Sequence, residues 1–198
     1  MGIKISESKL HWNYYLALER DMDKVSRFIE FSKPNMKTYS IELAHLLFAA
    51  ASEVDVVCKS LCKLLDDNCK RGNIVDYRAV ITANLKEFSK EKAYAPRHGL
   101  QLDPWSSWRT RNEKSNPVWW KANTQVKHYR NEHFRHATLM NALNALAGLH
   151  ICVFHYYKQL LTGEMGEIPR NKDVNLELRP EPQLIFLKDE YYVSTVVI

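Results

Sequence analysis

The chain has 198 residues, of which 45% are hydrophobic and 26% charged, which excludes a wholly disordered protein and suits one domain with a sizeable core, or one domain and an appendage. Six glycines and seven prolines are few for a many-turned β fold, so long helices are expected. The net charge of +5 sits in one window: Trp105 to His136 holds seven cations against Glu113 and Glu132, and the rest of the chain is neutral. One basic segment on a neutral body predicts either a localised contact with an anion or a plain solvated face.

In chain order, residues 8–32 read as a first helix, with Tyr15, Leu18, Met22, Val25 and Ile29 at alternating steps of three and four. Residues 39–67 read as a second. Its stripe runs Leu43, Leu47, Ala50, Val54, Val57, Leu61, Leu64, and further apolar groups cover neighbouring faces, as in a central helix. Glu53 and Asp55 are awkward there, because a buried carboxylate needs a partner or a proton. Each either reaches solvent between helices, caps a local bond, or pairs with the basic stretch around Arg130. A third helix spans residues 74–88, with Asp76 in its first turn. Cys58, Cys62, Cys69 and Cys152 show neither zinc-ligand spacing nor a disulfide framework.

Residues 89–117 read as a long irregular segment holding Trp105, Trp108, Arg109 and Arg111. Aromatics interleaved with cations suit stacked bases and phosphates, and equally a loop pinned to the core by its indoles. The second option is the better one for Trp119 and Trp120, which follow Pro117 into a fourth helix over 118–136. A fifth spans 138–162, with Thr138 as its N-cap, Gly163 as its stop and His150 inside its apolar seam. Residues 164–198 read as a polar linker and then two β-rich runs forming a hairpin. The expected fold is thus all-α, an up-and-down bundle of about five helices over 1–163 with a small C-terminal β-hairpin. With no apolar leader and no membrane-spanning run, a cytoplasmic protein without membrane contact is expected. The MGxxxS start nominally matches a lipidation signal that is often met by chance.

The chemistry concentrates in Lys127-His128-Tyr129-Arg130-Asn131-Glu132-His133-Phe134-Arg135-His136, which runs straight into the fifth helix. Cleaving RNA without a metal needs a base near neutral pH, a cation for charge developing on phosphorus and an acid for the leaving oxygen. Histidine titrates in that range, and arginine offers phosphate a permanent fork. Arg130, His128, His133 and His136 are the candidates. A metal site is the rival chemistry, but His133 and His136 lack a clear third ligand.

Arg130 and Asn131 followed by His136 resemble the signature of the HEPN superfamily: an arginine, a polar residue directly after it, and a histidine a few positions on. Ser52-Glu53-Val54-Asp55 and the runs from Trp119 to Arg130 and from Asn141 to Leu146 are similar to uncharacterised bacterial HEPN-like proteins. The resemblance covers residues 8–162 and leaves out the hairpin. It implies a bundle of four or more helices, often a homodimer with paired motifs near the subunit boundary. It also implies a metal-independent endoribonuclease without cofactors, of a kind found in toxin, phage-defence and RNA-processing systems, with an antitoxin or defence partner. On that basis Arg130 would bind the scissile phosphate, His136 would act as base or acid, and Asn131 would orient one of them. Lys127, Arg109, Arg111, Trp105, Trp108 and Arg135 would bind RNA, with Glu53 and Asp55 as supporting carboxylates. Some HEPN domains are inactive, so a non-catalytic module binding RNA or a protein is the alternative. On one continuous helix Arg130 and His136 would point about 120° apart. They converge if the helix breaks near 136 or if two subunits share the work; His133 and His128 are otherwise the substitutes.

Overall fold

Apolar residues repeating at helical steps build two long elements, and the rest of the chain is laid over them. The computed structural model describes residues 8–110 and 115–192. Helix α2 (Ile41–Leu65) starts where the Ser40 side chain accepts the Leu43 amide at 3.1 Å. Helix α6 (Leu139–Met165) starts likewise at Thr138, whose hydroxyl accepts the Asn141 amide. These two helices share the most extensive helix–helix contact in the described residues. Leu43, Leu47, Val54, Val57 and Leu61 of α2 are fully buried, as are Leu139, Leu143 and Val153 of α6. Each such side chain contributes roughly 1.5–3 kcal/mol by leaving water. Leu64, placed on the stripe by periodicity, is exposed at the end of α2, as are Ile41 at its start and Val56.

Helices α1 (Leu10–Val25), α3 (Ile74–Asn84) and α4 (Val118–His128) pack onto this pair. Asn73 caps α3 by accepting from Val75 and Asp76, while Asp76 accepts from the Gly72 amide. Helix α6 runs through Gly163 and stops at Gly166, whose φ of 73° is the left-handed turn a Cβ would strain. His150 packs against both the Trp12 and Tyr15 rings, and complete burial lowers its pKa to about 3. The four cysteines are free thiols; the Cys58 and Cys152 sulfurs meet at 3.4 Å, and burial pushes the Cys58 thiol up.

Two segments differ from the sequence reading. Residues 89–117, expected to be irregular, contain an antiparallel pair, β1 (Ala93–Ala95) and β2 (Leu100–Leu102), joined through Gly99 at φ 60°. At the C-terminus, Phe186 pairs with Tyr94 by two backbone bonds of 2.8 Å. The second half of the expected hairpin lies outside the described residues. The stretch before it is not a bare linker. Helix α7 (Asn171–Glu177) packs on α6, and Val174, Leu178, Leu184, Ile185 and Leu187 join the main core.

Glu19 explains why this tail docks. Its carboxylate is 2% exposed and accepts the backbone amides of Gln183, Leu184 and Ile185 at 2.9–3.0 Å. The Tyr15 hydroxyl bridges the same carboxylate and the Ile185 carbonyl. Four donors thus converge on one buried anion, and its removal strands three amides. Glu19→Ala is expected to cost about 3 kcal/mol or more in urea unfolding. It should also expose the segment around Ile185 to limited proteolysis before the helices are cut.

Candidate nucleic-acid interface

Why the basic stretch stands clear of the core follows from α4. Its buried face is Trp119, Ala122 and Val126, at steps of three and four. Continuing that helix would bring Arg130 and His133 round to the same apolar side. The chain breaks at Tyr129 (φ −134°, ψ 50°), whose amide still bonds the Gln125 carbonyl. A short helix α5 (Arg130–His133) and a 3₁₀ turn (Phe134–His136) follow. So the continuous helix expected over 118–136 is three pieces. The downstream end is fixed: Leu139 donates to the Thr38 carbonyl at 2.9 Å, and Phe134 meets the Tyr39 ring edge-on.

Arg130 is exposed, and its guanidinium lies 5.6 Å from the centre of the Phe48 ring, a cation–π contact. Lys127, His128 and Arg130 line one open cleft of about 650 Å³ with Tyr14 of α1, Phe48, Ser52 and Asp55 of α2, and Trp120, Asn123 and Thr124 of α4. Among the described residues, Lys121, Lys127, Arg130 and Arg135 have no carboxylate within 4 Å. Asn131 and Arg135 are exposed on the same stretch but do not line the cleft.

His133 and His136 form a separate pair. Their rings stack at 5.3 Å and neither lines the Arg130 cleft. The His136 Nδ1 sits 2.8 Å from the Gln125 Oε1, and its carbonyl accepts the Asn141 amide group at 2.9 Å. Burial first, then His133 and Arg135, lower the His136 pKa below the ordinary histidine value. Asn131, expected to orient the site, bonds neither Arg130 nor a histidine; Gln125 holds His136 instead. Gln125 lies eleven positions before His136 across two helix breaks, so no local spacing announced it. Phe48 and Tyr14 were likewise hidden, because α1 and α2 meet α4 only in three dimensions.

Several expected RNA contacts are structural. Trp105 is fully buried and Trp108 nearly so, in a cluster with Phe88 and Trp119. The Trp119 indole donates to the Pro104 carbonyl, and a Cβ at Gly148 of α6 would sit 3.1 Å from that indole. Their rings therefore pin the loop and present no face to a base. Arg109 forks onto Asp103 at 3.0 and 2.6 Å and also bonds the Ser89 carbonyl. Arg111 lies outside the described residues. Glu53 does not reach Arg130; it pairs with His11 at 2.5 Å. Asp55 lines the cleft and accepts the Tyr77 hydroxyl at 2.9 Å; burial first, and then this bond, push the phenol's pKa up.

Among the described residues, no three His, Cys, Asp or Glu side chains gather as a metal-ligating group, and no helix is long and apolar enough to cross a membrane. In comparisons with known proteins, no family model, curated protein or solved structure matches the chain.

Burial separates scaffold from surface here. Trp105→Ala should lower stability by about 3–5 kcal/mol. Lys127→Ala should stay within about 0.5 kcal/mol of the parent. Paired denaturant melts of the two variants check both.

Proposed function

We propose that the chain is a metal-independent endoribonuclease of HEPN type, gripping single-stranded RNA at the Arg130 cleft. The observation that supports this best is an exposed arginine with no carboxylate within 4 Å among the described residues, on a short broken stretch, followed six residues later by a histidine whose ring is held and whose proton affinity is lowered. A guanidinium free of carboxylates is available to phosphate oxygens, and its planar fork matches them. A neutral imidazole near pH 7 is the form that takes a proton.

In this reading Arg130 and Lys127 hold the non-bridging oxygens of one phosphodiester. His136 removes the proton from the 2′-hydroxyl, whose oxygen attacks phosphorus. The P–O5′ bond breaks, and the leaving oxygen takes a proton from an imidazolium, His128 in the cleft or His133 beside His136. The products are a 2′,3′-cyclic phosphate and a free 5′-hydroxyl, with no redox change and no cofactor. The homodimer, the antitoxin or defence partner and the cytoplasmic setting belong to the same proposal, on the strength of the resemblance alone.

A second reading has its own observation. The cleft that holds Arg130, Lys127 and His128 contains neither His133 nor His136. A module that binds RNA without cutting it needs only that cleft.

Cleavage in a chelator separates the two. Purified protein should cut a single-stranded RNA in EDTA, and Arg130→Ala and His136→Ala should each reduce the rate by a hundredfold or more, in line with loss of a general base or a charge-stabilising donor. Salt-sensitive binding without any cutting would instead select the binding module.

The pH profile adds a check on His136. A base works in its neutral form, so a lowered pKa shifts the acidic limb of the rate profile to lower pH. The midpoint of that limb in kcat/KM should fall below 6.5, the ordinary histidine value. In His136→Ala that limb should disappear from any residual activity.

A further inference from the structure

The Arg130 cleft carries features that phosphate binding does not use. Tyr14, Phe48 and Trp120 bring aromatic rings to it from three different helices. Phe48 already carries the Arg130 guanidinium, whereas Tyr14 is 41% exposed. The volume of about 650 Å³ falls within the range of small-molecule sites. Asp55 lines it too, and no cation lies within 4 Å of that carboxylate among the described residues. The Tyr77 hydroxyl holds one of its oxygens, Oδ1, and Oδ2 has no hydrogen-bond partner among the described residues. A carboxylate set among cations yet paired with none of them is a poor feature for holding phosphate, and a good one for reading hydrogen-bond donors.

We propose that this cleft is a base-reading pocket that takes one unstacked guanine, with Asp55 as its specificity-determining residue. The inference rests on the RNA-binding reading of the same site. A carboxylate only accepts hydrogen bonds. Guanine presents two adjacent donors, N1–H and the N2 amino group, to a carboxylate lying in its plane. Uracil offers one donor between two carbonyls, and adenine and cytosine each place a ring-nitrogen acceptor beside their amino group; each sets an acceptor against Asp55. Asn123 of α4 has both a donor and an acceptor, and its NH₂ suits guanine O6 or N7. Tyr14 and Trp120 supply the stacking faces on which single-stranded bases are held. Arg130 and Lys127 then meet the sugar–phosphate backbone of the same nucleotide.

The test uses the full chain and four 2′-O-methyl pentanucleotides, UUGUU, UUAUU, UUCUU and UUUUU, which block attack by the 2′-oxygen and so report binding alone. Fluorescence anisotropy at low salt should show UUGUU binding about 10- to 100-fold tighter than the other three, the discrimination of one good bidentate base contact. Asp55→Asn keeps an oxygen for Tyr77 but puts an amide donor where an acceptor was. It should erase the preference, bringing UUGUU down to the affinity of the other three. Tyr14→Ala, at an exposed position, should weaken all four alike. Equal binding of the four by the parent protein, lost in Arg130→Ala, would overturn the guanine assignment and leave the RNA reading standing. No binding of any of them would remove the RNA reading itself. A guanine preference that survives Asp55→Asn would place base recognition elsewhere and refute the role given to Asp55.

Discussion

The packing of α2 along α6 is the constraint from which the rest follows. Two helices of 25 and 27 residues bury their apolar faces against each other, which fixes where every residue of α2 points. One face goes to the core, and the turns left over carry Phe48, Ser52 and Asp55 to the wall of the cleft. A long, nearly apolar helix cannot leave its carboxylates unattended. Glu53 therefore takes His11 of α1 and Asp55 takes Tyr77 of α3, so the charges that trouble α2 also tie its neighbours to it.

The same reasoning sets the exposure of the basic stretch. An amphipathic helix persists only while its buried face stays apolar. On α4 that condition ends after Val126, and the chain leaves the helix at Tyr129. Arg130 then stands on a one-turn element whose far end is fixed by the Leu139 bond to Thr38. The break also divides the polar groups in two: cations and His128 at the cleft, His133 and His136 beside Gln125. A bound RNA strand, or a second copy of the chain, has to span both if they act on one phosphodiester.

What was legible in the sequence is what local spacing encodes. The α2 and α6 stripes, the Thr138 cap, the start of α4 after Pro117 and the interior place of His150 all depend on residues a few positions apart. The break at Tyr129 was legible in principle, since the apolar face of α4 stops there, but basic residues in a helical register masked it. The partners of Glu53 and Asp55, 42 and 22 positions away, were not legible, because periodicity says a charge is buried without saying what answers it. Trp105 and Trp108 were misplaced for a related reason. An aromatic beside arginines has the same local pattern on a surface as in a core, and only packing against Phe88, distant in sequence, puts both rings inside. The docking of the tail on Glu19 spans more than 160 positions and left no local trace.

The distribution of paired and unpaired cations is the remaining step. Surface arginines are answered only in part: Arg97 lies with Asp23, Arg109 with Asp103, Arg170 with Asp173 and Arg179 with Glu181, whereas Arg20 and Arg27 have no carboxylate within 4 Å among the described residues. Each such surface pair is worth at most about 1 kcal/mol, so stability alone gives little reason to favour or avoid them. Between Lys121 and Arg135 that pairing stops among the described residues, and the one carboxylate of the stretch, Glu132, reaches only His133 at 3.9 Å. Four such cations close together in sequence raise the local positive potential, and the fold bears their mutual repulsion. The adjoining cleft brings in Tyr14, which is exposed, and Trp120, which is partly buried against the main core and meets Trp119 edge-on. Unanswered charge occurs elsewhere on this surface, so the proposed RNA contact rests on the placement of Lys127 and Arg130 in one cleft with aromatic rings, a combination suited to phosphate and base together.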